Sequence, residues 1–411
     1  MIKKIISFLR LLKYVKIIFN NPPKKKIFIF DNSDIFSLKE SILKNLDHFI
    51  YEDRTHLITK IYISFEILKI VFDYYKFGFK TAYSIAIIKI VDPKIVLTWI
   101  HNSENFSNVA KILHNQFNFL AIQNASYFYR VNEALYLKKK YNIQMKSFYI
   151  PHLLCYSNYD KKNYKKNSQI RIGKFNVVGS LRLDNFKRRI KEKKFFPTKN
   201  RYDICLLSEV GAWELDDKSL DFKFAKLIKF VIKYCKEENK KLIFALKRQK
   251  KIKNIAPQST YVIKGFYNEQ KWYKKFFDKD EYNFLKKRFK YQYPYSSYEA
   301  AYESKIIIAG MSTMLREMYS QKKKILACNF TSNKVYDFPI KGISSINFEC
   351  EYRYFKKRLD RILNLSNKKY FKEANFKKDD DLILNKKDKT TKKILDIIQN
   401  YIKKNDKKIS Y

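Results

Sequence analysis

The sequence predicts an α/β protein of two Rossmann-like domains facing across a cleft, preceded by a basic amphipathic helix and followed by C-terminal helices. Three observations carry this. The chain has 411 residues, too many for one hydrophobic core, since single cores stop growing near roughly 250–300 residues. Short runs rich in Ile, Val and Phe alternate with stretches of helical periodicity, the pattern of a mostly parallel sheet covered by helices. That alternation occurs twice, with a break near residues 165–180. The expected division is 1–22 for the leading helix, 24–175 for the first domain, 176–350 for the second, and 351–411 for C-terminal helices and a lysine-rich tail.

Residues 1–20 place Ile5, Phe8, Leu9, Leu12, Val15 and Phe19 on one helical stripe, with Lys3, Arg10 and Lys13 opposite. Lys3, Lys4, Arg10, Lys13 and Lys16 interrupt any apolar run long enough to cross a bilayer, and no small-residue cleavage site follows. Two readings stand open: a helix lying on an anionic membrane surface, or one packed on the body of the protein. After Pro22-Pro23, the runs Lys26–Phe30, Lys94–Trp99, Phe117–Ile122, Ser147–Ile150 and Phe175–Val178 read as buried strands. Helical candidates lie between them over 35–45, 57–76 and 105–115. The basic stretch Lys187–Asn200 reads as an exposed loop, after which the alternation resumes. Tyr202–Leu207 is a strand; Leu220, Phe224, Leu227, Ile228, Val231, Ile232 and Cys235 form a helical stripe; Leu242–Leu246 is the next strand. Further βα units start at Lys305–Ala309 and Lys324–Cys328. In the tail, Ile394, Leu395, Ile398 and Ile402 share one helical face, read as a solvated appendage.

Composition narrows the function classes. With 46% apolar and 17% aromatic residues, seven glycines and eight prolines, a mainly disordered or fibrous protein is excluded. Five cysteines, at 155, 205, 235, 328 and 350, make no CxxC pair, which excludes a disulfide scaffold and a Cys-based zinc ribbon and suits a reducing compartment. Lys and Arg number 86 against 40 Asp and Glu, a formal charge of +46. Part of that excess follows from a composition dominated by Lys, Asn, Ile, Phe and Tyr. What remains attracts polyanions: phosphorylated small molecules, anionic lipid or nucleic acid. No HExxH, Walker A, GxSxG or EF-hand pattern occurs. The acidic clusters Asp216-Asp217 and Asp379-Asp380-Asp381 read as surface features. No metal and no cofactor is expected.

Polar and small residues fall at the carboxyl ends of the proposed strands, where open α/β sheets bind ligands. They are Asp31-Asn32, His101-Asn102-Ser103, Gln123-Asn124, Pro151-His152, Gly179-Ser180, Ser208-Glu209, Lys247-Arg248 and Gly310-Met311-Ser312-Thr313. Their presence in both halves is what predicts the shared cleft. In the stretch Ser296–Met318, Gly310 permits a tight turn after strand Lys305–Ala309, and Ser312-Thr313 open a helix. Backbone N–H groups and hydroxyls at a helix start suit a phosphate. Glu317, one turn further, is placed to accept bonds from ribose hydroxyls; the plainer reading is an ordinary N-cap and a solvent-facing Glu. Lys247-Arg248 either hold a diphosphate or begin the solvated run KRQKKIK.

The segments KIFIFDNSD, KIVLTWIHNSENF, FLAIQNASYF, FYIPHLLCYSNYD, FNVVGSLRLDNF, YDICLLSE, LIFALKR and Ser296–Glu317 together resemble a family of bacterial surface-carbohydrate biosynthesis proteins, transferases of surface polysaccharide clusters. More distantly they resemble GT-B glycosyltransferases and nucleotide-sugar 2-epimerases, over about residues 24–365. The resemblance implies a GT-B fold, a nucleotide-sugar donor, a glycan or lipid-linked acceptor, and metal-independent transfer in which helix-terminal N–H groups and cations stabilise the departing phosphate. It implies phosphate binding by Gly310, Ser312 and Thr313, ribose binding by Glu317, and leaving-group contacts from Lys247 and Arg248. Gly179-Ser180-Leu181-Arg182 resembles the loop joining the domains; Asn102, Gln123, Asn124 and His152 match the acceptor side. The family supplies no firm base, so His152, His101 and Glu104 stand on chemistry alone. Polyol-phosphate transfer and nucleotide-sugar epimerisation remain alternatives, as does non-catalytic binding of glycan or nucleic acid. No RNP1, helix-turn-helix or zinc-finger pattern is present, so no specific nucleic-acid partner is expected. The expected location is cytoplasmic, peripheral at the inner face of the membrane, where each well-placed Lys or Arg is worth roughly 1 kcal/mol on an anionic leaflet.

Overall fold

A strand whose two faces are both apolar is stable only between two layers, so the Ile/Val/Phe runs assemble into parallel sheets with helices on either side. The computed structural model describes residues 15–30, 35–51, 59–101, 103–125, 147–166, 170–209, 218–249, 269–292, 294–331, 334–340, 342–376, 381–385 and 389–406. The chain forms two units. Among the described residues, one takes in 15–185 and 389–406, the other 186–249 and 269–385.

The first unit holds strands β1 (Val15–Ile18), β2 (Ile27–Ile29), β3 (His48–Ile50), β4 (Thr59–Tyr62), β5 (Ile95–Thr98), β6 (Asn118–Ile122), β7 (Phe148–Cys155) and β8 (Ile170–Val177). Six of them form a parallel sheet in the order β3-β2-β5-β6-β7-β8. Successive side chains point to opposite faces. Phe28, Phe30, Val96 and Phe119 therefore meet the helix Phe79–Val91, buried through Ala82, Ile85, Ala86 and Ile88. Ile27, Ile29, Leu97, Trp99 and Leu120 face the other way and are covered by Leu38, Leu43, Ile394 and Ile398.

Four expectations change here. Val15–Ile18 are a strand, not the end of a helix: the β-branched Val15, Ile17 and Ile18 pair in parallel with Thr59–Tyr62. Residues 1–14, the rest of the amphipathic stripe, lie outside the described residues. The helical candidate 57–76 divides accordingly, with β4 first and then a helix, Phe65–Tyr74, whose start is set by the Ser64 cap on the Ile67 N–H at 3.1 Å. Lys187–Lys191 are helical rather than loop, as the last turn of Leu181–Lys191.

The fourth change is the tail. The helix Thr390–Asp406 is no solvated appendage: Ile394 and Ile398 are fully buried on the sheet. Thr390 Oγ1 donates to the Val178 carbonyl at 2.9 Å, and the Thr391 N–H and Oγ1 donate to Asp184 Oδ2 at 2.9 and 2.6 Å. The second sheet face needs an apolar cover, and burying each Ile supplies about 1.5–3 kcal/mol.

The second unit holds β9 (Tyr202–Leu207), β10 (Leu242–Gln249), β11 (Phe289–Gln292), β12 (Ser304–Ala309), β13 (Lys324–Cys328) and β14 (Ser345–Ile346). All are parallel, in the order β11-β10-β9-β12-β13-β14. The sheet grows outward from β9 in one direction, then resumes beside β9 with β12 and grows in the other. That is the doubly wound order, with its reversal between β9 and β12. Helix Lys218–Glu237 packs Leu227, Ile228, Val231 and Ile232 inward, and Tyr352–Asn364 buries Phe355, Leu359 and Ile362. No helix among the described residues is long and apolar enough to cross a membrane.

Candidate functional site

The reversal between β9 and β12 matters because chain segments leave those two strands toward opposite sides, opening a crevice at the carboxyl edge of the sheet. β9 runs out into Ser208 and Glu209; β12 runs out into Gly310 and Met311, and helix Thr313–Ser320 follows with Ser312 as its N-cap. The Ser312 hydroxyl accepts the Met314 N–H at 3.3 Å. The buried Glu209 side chain reaches across from β9. Its Oε2 accepts the Gly310 N–H at 2.9 Å and its Oε1 the Met311 N–H at 2.8 Å. These donors lie just ahead of the helix, where its dipole favours negative charge. A Cβ at position 310 would lie 2.5 Å from Glu209 Oε2, so any larger residue there would push this carboxylate aside. Burial pushes the Glu209 carboxyl up to about 6, against the opposing pull of the N–H groups and of Lys247.

A small pocket opens beside this pair, lined by Glu209, Met311, Lys223, Phe330, Thr331 and Tyr336 among others. Lys223 ion-pairs with Glu349. The Asn329 amide oxygen accepts the Thr331 N–H at 3.0 Å and its hydroxyl at 2.5 Å. Next to Glu209, Ser208 enters a second buried network. Its hydroxyl lies 2.5 Å from Glu269 Oε1 and 2.6 Å from the Tyr273 hydroxyl, and the Lys247 N–H donates to the same Glu269 oxygen at 3.2 Å. Glu269 and Tyr273 stand one turn apart on the helical residues 269–276. Burial, with the Glu269 carboxylate beside it, raises the Tyr273 hydroxyl well above its usual range.

Gly310, Ser312 and Thr313 thus come together with the Lys247 backbone on the carboxyl edge of one sheet. Arg248 belongs to β10, but its side chain lies outside the described residues. Glu317 does not face solvent. It is buried one turn into the helix, and its Oε2 accepts the Tyr298 hydroxyl at 2.8 Å. The residue that sequence reasoning leaves without a role is Glu209. Its acidic character at a strand end is visible in the chain, but its partners are 101 and 102 residues away, and only the adjacency of β9 and β12 joins them.

In the first unit, the carboxyl ends of β5 and β6 bring other candidates against the helix Asn158–Lys165. His101 Nε2 lies 2.7 Å from the buried Tyr164 hydroxyl. Gln123 uses its whole amide: Nε2 donates to Asp160 Oδ1 and the Ala125 carbonyl, both at 3.0 Å, and Oε1 accepts the Tyr156 N–H at 2.9 Å. Asn124 keeps a buried Oδ1 with no hydrogen-bond partner among the described residues. Glu104 is exposed in the first turn of Glu104–Leu113, behind the Ser103 cap. Asn102 lies outside the described residues, as do Asp31 and Asn32. Gly179 takes a φ of 104°, where glycine is favoured, and the Ser180 hydroxyl accepts the Leu183 N–H at 3.3 Å.

His152 is not at a strand end. β7 continues through Pro151 to Cys155, so His152 sits mid-strand, in register with Leu120 and Lys174. Its Nε2 lies 2.7 Å from Asn176 Oδ1 and its Nδ1 3.0 Å from the Tyr401 hydroxyl. Burial, chiefly, draws the ring pKa from 6.5 down to about 4. The unfolded chain then binds the proton first as pH falls, so the stability due to the neutral ring is complete above 6.5 and is lost as pH falls toward 4. Urea unfolding at about pH 7 and pH 4 should show the wild type losing roughly 2–3 kcal/mol more than His152→Gln; equal losses would disprove this role.

No known family's sequence profile matches the chain, and no curated protein matches it. Solved structures do match in fold. UDP-GlcNAc 2-epimerase of Methanocaldococcus jannaschii, in complex with UDP-GlcNAc and UDP, aligns over 91% of this chain and 99% of its own, with TM-score 0.51 and 14% identity. The S. aureus MnaA–UDP structure aligns over 92% and 97%, with TM-score 0.50 and 10% identity. The chain therefore has a GT-B-like α/β fold with parallel-sheet, Rossmann-like domains.

Proposed function

We propose that this chain is a nucleotide-sugar-dependent transferase of surface polysaccharide assembly, moving a sugar from its nucleotide onto a hydroxyl of a glycan or lipid-linked acceptor without a metal. The observation that carries the reading is the carboxylate of Glu209 held on the Gly310 and Met311 N–H groups, at the reversal point of a doubly wound sheet and beside a pocket. Two N–H donors aimed at one spot ahead of a helix form an anion site. The chain's own carboxylate accepts both N–H groups, which supports this reading. A donor phosphate takes the same donors once Glu209 is protonated or turned aside.

Two solved structures of similar fold carry UDP, one of them with UDP-GlcNAc, and a ligand of that class is proposed here by analogy. In the reaction the acceptor oxygen bonds to the anomeric carbon while the bond from that carbon to the donor phosphate oxygen breaks. Gly310 and Met311 N–H groups, with Lys247, stabilise the charge gathering on the phosphate. The acceptor proton passes to a base. Among the candidates, the His101 and His152 rings are buried and Glu104 is solvent-exposed, so Glu104 is the one that an acceptor hydroxyl can reach.

The test is a melting screen against UDP-, CDP-, GDP- and CMP-sugars. One nucleotide class should raise the melting temperature, by about 2.7 kcal/mol of stabilisation at a hundredfold excess over Kd. Release of labelled sugar from that donor should persist in chelator. If none of the donors shifts the transition, the reading fails; recovery of an epimerised donor in place of a transferred sugar would replace the transferase with an epimerase.

A further inference from the structure

Helix Phe65–Tyr74 buries Ile67 and Val71 against the sheet, yet exposes Phe65 at 83% and Phe72 at 85%, with Leu68 exposed between them. At ~100° per residue, Phe65, Leu68 and Phe72 form one ridge beside the buried face. Lys69 and, continuing past the helix end, Lys76 come next around the axis; Glu66 and Asp73 lie beyond them. The order is therefore core, exposed apolar ridge, cations, acids. Tyr75, Phe77 and Phe79 extend the exposed apolar surface through the following turn, and the Lys76 ammonium sits 5.3 Å from the Phe77 ring centre. Phe19, 76% exposed, follows β1, whose partner β4 leads into the same helix. Lys16, Lys60 and Lys80 are exposed on these segments, and Glu66 is engaged by the Asn21 amide at 2.5 Å.

Soluble proteins rarely leave so many large aromatic side chains together in water. What covers them must accept apolar groups and meet the bordering cations with negative charge. A convex ridge of Phe and Leu edged by lysines has the chemistry of a surface that sinks into the headgroup region of an anionic leaflet. The neighbouring sequence agrees, since no acidic residue precedes Asp31.

We propose that the ridge of Phe65, Leu68 and Phe72, extended by Phe79, is a docking surface for an anionic lipid bilayer. It rests on the proposed function only for its purpose, bringing the enzyme to a lipid-linked acceptor. The test is cosedimentation of the full chain with vesicles of phosphatidylcholine alone and of phosphatidylcholine with phosphatidylglycerol. Wild type should favour the anionic vesicles and release with salt. A combined Phe65→Ser, Leu68→Ser, Phe72→Ser variant should bind at least about tenfold more weakly with an unchanged melting temperature, because its side chains are exposed. Lys69→Glu with Lys76→Glu should abolish the preference for anionic lipid. Unchanged vesicle binding in the serine variant overturns the proposal. So does light scattering that shows a wild-type dimer, made monomeric by the serines, with no vesicle binding. Nucleotide-sugar melting shifts, measured on the same samples, report on the function separately: their absence beside intact vesicle binding would remove the donor site and leave the docking surface standing.

Discussion

Glu209→Gln should bind a nucleotide sugar up to about 100-fold more tightly than wild type at about pH 8, and the two proteins should converge near pH 5. The reason is competition between two anions for the same donors. The Glu209 carboxyl, raised to about 6 by burial, is ionised at pH 8 and holds the Gly310 and Met311 N–H groups. A donor phosphate entering there must protonate or displace it, so affinity weakens by up to tenfold for each pH unit above about 6. The groups facing this carboxyl are Lys247 from β10, Cys328 from β13 and Lys223 at the pocket. The Cys328 thiol is held well above its normal range by burial and stays neutral throughout, while Lys223 is ion-paired with Glu349. The diphosphate of a nucleotide sugar has no ionisation in this window, so the slope belongs to Glu209. Calorimetric titration of both proteins across pH 5–8 reads it directly. If Glu209→Gln loses affinity at every pH, the carboxylate instead grips donor hydroxyls and the phosphate lies elsewhere. The neutral form of the Glu209 carboxyl suits the fold, so its contribution to stability declines as pH rises from 4.5 to about 6, opposite to the effect of His152.

Replacing Ile394 and Ile398 together by Ala should unfold the first unit at neutral pH or leave it barely folded. Each side chain is fully buried among Leu97, Trp99, Leu120 and Leu154 on the sheet. Truncating a buried Ile to Ala costs about 2–5 kcal/mol through lost transfer energy and the cavity left behind, against a total stability of about 5–15 kcal/mol for a domain. Freeing this helix also loosens the Thr390 and Thr391 bonds to Val178 and Asp184, and the Tyr401 contact that holds His152. Hydrogen exchange should show β5, β6 and β7 losing protection. Unchanged melting in the double variant would mean that the helix contributes nothing to this core.

Much of the architecture follows from local pattern. Tyr202–Leu207 and Lys324–Cys328 are strands with the bounds that their apolar runs suggest, because a strand buried on both faces is apolar over most of its length, with Asp203 and Lys324 only near the amino ends. The short strands β3, β11 and β14 escape such reading: each lies next to one neighbour at or near a sheet edge, and pairing rather than composition makes it a strand. β1 escapes for a related reason. Its residues satisfy a helical stripe equally well, and the pairing with β4 decides between the two. At the candidate site, Gly310, Ser312 and Thr313 announce a turn and a helix start through local chemistry alone.

What the amino-acid order determined unaided is the α/β class, two separate cores, and a capped helix start after a buried strand, all of which depend on residues within a few positions of one another. Tertiary structure alone decided that Glu209 meets Gly310, that Glu317 turns inward to Tyr298, that His152 lies mid-sheet against Tyr401, and that the lysine-rich tail closes a core. Each of those depends on which strands become neighbours. Strand order is set by the combined burial of whole faces and leaves no mark on any single stretch of chain.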